Sequence, residues 1–128
     1  MTETLSRIAK EAGNLFREGY YASKEVSFKG SVDLVTQYDL QVELLLKEKL
    51  AEAFPDYTLI GEETTETIDH PDRAIYIDPI DGTTNFVHGI PFCAISLGLF
   101  EGGRPKAAVV YLPILDELFR AEAELVSR

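Results

Sequence analysis

The spacing of apolar residues changes at Pro55, and that change restricts the chain to one fold class. Before it, Leu5, Ile8, Ala9, Ala12, Leu15 and Phe16 recur at helical intervals, and Leu40, Leu44, Leu45, Leu50 and Phe54 form a second such set. The second helix has to stop before Pro55, because a proline disfavours helical backbone in the residue ahead of it. After Pro55 the apolar runs are short, at residues 57–60, 74–77, 94–100 and 107–112, with a further strand starting at Glu117. Glu101-Gly102-Gly103-Arg104 between two of them has hairpin-turn composition, and Pro113-Ile114-Leu115-Asp116 makes another turn. Two helices followed by a largely antiparallel meander predict an α+β fold, with the helices packed on one sheet face.

The local signals place the boundaries. Thr2 or Thr4 can cap the first helix, and Gly19 with Tyr20 and Tyr21 marks its end. Residues 23–30 are polar and read as a loop, and the second helix is expected to start near Val35-Thr36. Leu, Glu, Lys and Ala fill its interior, all good helix formers.

A chain of 128 residues suits one domain and can bury roughly two-thirds of its unfolded surface. A net charge of −10 argues against nucleic acid as the main partner. No apolar run approaches the roughly 20 residues of a membrane helix, and no secretory leader follows Met1, so a cytoplasmic location without membrane attachment is expected. The single cysteine, Cys93, excludes an internal disulfide and lies in an apolar run that suits a buried small hydrophobe.

Three acidic segments carry chemistry. In the first, Asp78-Pro79-Ile80-Asp81-Gly82-Thr83-Thr84-Asn85-Phe86 follows the apolar run at 74–77. A strand leading into two carboxylates and a turn gathers hard anionic oxygens, which is how a protein holds Mg²⁺. Pro79 stiffens the approach, Gly82 lets the backbone come close to a ligand, and a helical turn starting at Thr83 or Thr84 offers free N–H groups to a phosphate. The competing reading is a surface turn rich in Asp-Pro and Asp-Gly. In the second, Gly61-Glu62-Glu63 follows another apolar run and is a further source of carboxylate. In the third, Lys29-Gly30-Ser31-Val32-Asp33-Leu34-Val35-Thr36 precedes Asp39. Asp33 is either a helix cap or a functional acid, and Asp39 either a functional acid or a solvated one near a helix start. Lys29 can supply positive charge near a phosphate or simply lie on the surface. His88 suits a structural role better than acid–base work, and His70 suits loop surface.

In this order the three segments resemble the inositol monophosphatase family of Mg²⁺-dependent, lithium-sensitive phosphatases, and Val87-His88-Gly89-Ile90-Pro91-Phe92 continues the likeness. The resemblance runs from about residue 5 to about residue 121 and implies the N-terminal part of an α/β/α/β/α sandwich. It implies hydrolysis of a phosphate monoester, inositol monophosphate foremost, by metal-activated water. It assigns Glu62, Asp78 and the Ile80 carbonyl to a first Mg²⁺, and Asp78 with Asp81 to a second. It assigns the N–H groups of Gly82 and Thr83 to the phosphate, and Thr83 with Asp39 and Glu62 to the attacking water. It also implies a small phosphorylated polyol or sugar as substrate, and a homodimer. Sister activities on fructose 1,6-bisphosphate, histidinol phosphate or a 3′-phosphonucleotide, or a non-catalytic dimerising role, stay open. Family members are roughly twice this length and carry a later Trp-Asp motif, whereas this sequence has no Trp. The single domain 1–128 is therefore expected to be a truncated form, weak or inactive alone.

Overall fold

The structure is a computed structural model. It describes the backbone of residues 1–22, 28–61 and 71–123, and the side chains of these residues other than 28–36. Helix α1 (Thr2–Ala22) buries Leu5, Ile8, Ala9, Ala12, Phe16 and Tyr20 along one face. It ends at Ala22, one residue past the Gly19-Tyr20-Tyr21 stretch expected to close it, with Gly19 itself still helical. Gly19 is a point of close approach, since a Cβ at that position would overlap the Tyr38 ring on the next helix.

Helix α2 (Phe28–Ala53) starts seven residues before the expected Val35. Asp33 accordingly lies within the helix and not at its cap. The buried line is Tyr38, Val42, Leu46 and Leu50, while Leu40 is 48% and Leu44 67% exposed. The expected inward set fails at these two leucines because α2 carries two apolar stripes at i, i+4 spacing. The one that faces α1 and the sheet is Tyr38, Val42, Leu46 and Leu50, with Glu43 buried beside it.

The five strands are β1 (Thr58–Gly61), β2 (Arg73–Asp81), β3 (Ala94–Glu101), β4 (Arg104–Leu112) and β5 (Glu117–Glu122), with a short helix α3 (Thr83–His88) between β2 and β3. They form one sheet in chain order, β1 parallel to β2 and every other pair antiparallel. The fold is α+β, as the change of period at Pro55 predicts. Ile75, Ile77, Ile80, Ile95, Leu97, Leu99, Val109 and Tyr111 join the helix residues in a single core. β2 continues past Ile77 to Asp81, so both acids of the motif belong to the strand. Gly102 and Gly103 take φ of 60° and 76° in the β3–β4 turn, a conformation that favours glycine.

Three tyrosines tie the layers together. The Tyr111 hydroxyl donates to Asp116 at 2.7 Å, and Arg17 of α1 donates to the Pro113 carbonyl at 2.9 Å. Tyr38 donates to Glu18 at 3.2 Å, and Tyr57 donates to Glu101. Burial, with these carboxylates, pushes all three phenols above their ordinary value of 10.0. A raised native pKa favours the protonated form in the folded state. The stabilisation is therefore complete below about pH 10 and is lost as pH rises through the native values. The melting temperature should fall on the alkaline side of pH 10, in step with tyrosinate absorbance. Phe at positions 38, 57 and 111 should flatten that limb, and an unchanged limb in the triple variant would contradict the assignment.

Candidate metal and phosphate site

In a regular strand, residues three apart point to opposite faces. Asp78 and Asp81 are three apart, so their spacing alone would separate them. The ladder with β3 slips between them: Asp78 pairs with Ser96 and Asp81 with Ala94, two residues apart on β3. One extra residue in β2 thus brings both acids to register positions on one face, a bulge placed beside a site in the usual way. Pro79 is accommodated there because a bulge releases a ladder N–H that proline lacks. Asp78 is half-buried with its Oδ1 oxygen enclosed, Ile80 is buried, and Asp81 is exposed.

Gly82 turns the chain. Its φ of 87° is left-handed, and a Cβ there would sit 3.2 Å from the Phe92 carbonyl. The left-handed backbone favours glycine, and the close carbonyl leaves a side chain little room. The turn leads straight into α3, where Phe86 N–H donates to the Gly82 carbonyl at 3.0 Å. The N–H groups of the first helical turn have no acceptor within the helix, as at any helix start. The far end of α3 is closed by Gly89, also left-handed, and by Ile90 N–H donating to the Asn85 carbonyl at 2.8 Å. The Asn85 side chain donates to the Phe92 carbonyl at 2.8 Å, tying α3 to the approach to β3. Phe86 anchors the turn from beneath, with ring centroids 5.2 Å from Phe16 and 5.8 Å from Tyr20.

The remaining candidates divide. Asp39 is half-buried on α2, a helix that packs against α3, whose first residue Thr83 is exposed. Glu62, Glu63 and His70 lie outside the described residues. Lys29 and Asp33 fall on the α2 backbone, in the stretch whose side chains are not described. His88 is exposed at the end of α3. Cys93 is buried, and burial pushes its thiol up to about 11, which suits the inert role expected and not a nucleophile.

Among the described residues no group of three His, Cys, Asp or Glu side chains comes together. The two carboxylates of Asp78 and Asp81 and the Ile80 carbonyl are all hard oxygen donors, a set that suits Mg²⁺ and not a soft metal. The third expected carboxylate, Glu62, follows the end of β1, and β1 runs parallel to β2 with Gly61 paired to Ile77, one residue before Asp78. Asp78 also borders an open, largely apolar cleft of about 440 Å³ on the sheet face away from the helices, lined by Gly61, Tyr76, Ser96, Gly98 and Val110 among others. The alternation in β3, with Ser96 and Gly98 set between Ile95, Leu97 and Leu99, carried that signal. Among the described residues no helix is long and apolar enough to cross a membrane.

The chain matches the model of the inositol monophosphatase family over residues 1–125. It is 48% identical over 120 residues to inositol monophosphatase 2 of Solanum lycopersicum, covering 88% of this chain and 44% of that protein. Inositol monophosphatase 3 of the same plant is 49% identical over 117 residues, covering 87% of this chain and 43% of that one. Among solved structures, the extragenic suppressor protein suhB from Bartonella henselae superposes with a TM-score of 0.79 at 37% identity, covering 94% of this chain and 47% of that one. The chain thus spans less than half the length of the curated relatives it matches.

Proposed function

Since the chain belongs to the inositol monophosphatase family, we propose that it carries the N-terminal share of a Mg²⁺-dependent phosphomonoester hydrolase site, with inositol monophosphate as the foremost substrate. The reading rests on the bulge that sets Asp78 and Asp81 on one face directly ahead of the left-handed Gly82. Glu62, Asp78 and the Ile80 carbonyl would hold one Mg²⁺, and Asp78 with Asp81 a second. When bound, such a pair supplies a water of lowered pKa and positive charge for the leaving oxygen. The N–H groups of Gly82 and Thr83 receive the phosphate, where unpaired helix-start donors favour an anion. The Thr83 hydroxyl, with Asp39 and Glu62, orients the attacking water. No covalent enzyme intermediate is required. A homodimer in the cytoplasm completes the reading.

The purified 128-residue chain tests how much of the site it holds. Weak Mg²⁺ binding and little turnover of inositol monophosphate are expected. Fructose 1,6-bisphosphate, histidinol phosphate and a 3′-phosphonucleotide serve as comparison substrates. A robust lithium-sensitive rate from this chain alone would refute the partial-site reading, and a preference for a comparison substrate would replace the substrate.

A further inference from the structure

Glu43 is the one charged residue in the buried set among the described residues, 7% exposed. It lies on α2 one turn after Asp39 and one turn before Lys47, whose ammonium is 3.1 Å from Oε2. Its carboxylate sits directly against Gly61, the last residue of β1. A Cβ on Gly61 would overlap both oxygens, so the glycine makes room for the acid. A buried ion pair adds little net stability over an apolar pair of similar size. An apolar side chain would suit this helix–sheet contact as well, so stability alone does not account for a glutamate. The location offers another reason. Gly61, on which the carboxylate rests, pairs with Ile77, the residue before Asp78, so what holds Gly61 in place also holds the strand beside that acid.

We propose that Glu43 is a positioning residue for the metal site: its carboxylate, held by Lys47 and seated on Gly61, fixes the β1 end beside Asp78. This inference rests on the metal reading of Asp78 and Asp81 given above. Glu43 touches neither substrate nor metal in this scheme. It acts through the backbone of Gly61 and its partner Ile77.

The test uses Glu43→Gln, close in shape, and Glu43→Leu, which fills the space with an apolar side chain and removes the carboxylate. Two quantities are measured on the full chain: amide exchange at Gly61 and Ile77 without metal, and Mg²⁺ affinity by titration of amide shifts. Glu43→Gln should weaken Mg²⁺ at least threefold and Glu43→Leu at least tenfold. Exchange at the two strand amides should quicken, with α1 amides unchanged. A purely structural role would instead speed exchange across the whole core, and that outcome overturns the proposal. So does Mg²⁺ affinity within twofold of the parent in Glu43→Gln, which decides the matter should Glu43→Leu fail to fold. A parent chain that binds no Mg²⁺ overturns the metal reading together with this one, whereas a parent that binds beside unaffected variants overturns this one alone.

Discussion

Asp81→Asn should lower Mg²⁺-dependent phosphatase activity by about a thousandfold or more while leaving the fold intact. The measurement needs a complete site, so residues 1–121 would be joined to the remaining length of the tomato inositol monophosphatase 2, of which this chain covers 44%. A metal ion contributes several kcal/mol of charge stabilisation in the transition state. Losing roughly 4 kcal/mol corresponds to about three decades in rate. The amide keeps the shape and one acceptor oxygen but gives up the charge that holds a hard cation. Asp81 is exposed at the end of β2. Exposed substitutions usually move stability by no more than about 0.5 kcal/mol, so melting should shift by only a few degrees. Loss of rate with an unchanged melt separates a ligand from a structural acid. Retained activity in the asparagine variant would show that Asp81 does not hold the metal.

The sequence disclosed the architecture more readily than the site geometry. The change of period at Pro55 foretold two helices and a meander because helix and strand impose different repeats on buried residues. The Gly102-Gly103 turn was equally readable, since its backbone conformation admits few other residues. The stretch from Gly19 to Tyr21 located the end of α1 to within a residue, but the second role of Gly19, admitting the Tyr38 ring, shows only once that ring is placed against it. Leu40 and Leu44 misled because propensity and spacing do not say which of two stripes meets the sheet. The motif at 78–86 stands out in the sequence as two acids set among turn formers. Its bulge does not, because register depends on the partner strand, and only pairing with Ser96 and Ala94 shows that two acids three apart share a face. Glu43 was invisible for a related reason: a glutamate inside a helix rich in Glu and Lys reads as solvated until Gly61 is found beneath it.

Phe86→Ala should be the most destabilising single change near the site, and its effect should reach the Gly82 turn proposed to receive the phosphate. Phe86 is 0% exposed and meets Phe16 and Tyr20 edge to face. Removing a buried phenylalanine costs about 3–5 kcal/mol, and the two ring contacts place this case toward the upper end. A domain of this size holds only about 5–15 kcal/mol in total. At roughly 4 °C per kcal/mol, melting should fall by about 12–20 °C. Phe86→Leu should cost less than half as much, since most of the volume remains. The consequence for function follows from the length of α3. A helix of six residues does not persist on its own propensity. It is held by the Phe86 anchor, the Gly89 closure and the Asn85 bond to Phe92. Without the ring, the first turn loses its seat on α1, and the N–H groups of Gly82 and Thr83 lose their fixed direction. Amide exchange at Thr83 and Thr84 should therefore rise more than exchange in β3 and β4, even at temperatures where the variant stays folded. A uniform rise across the sheet would mean that Phe86 supports the core without aiming the turn. A melt within a few degrees of the parent would mean that the ring does not anchor α3 at all.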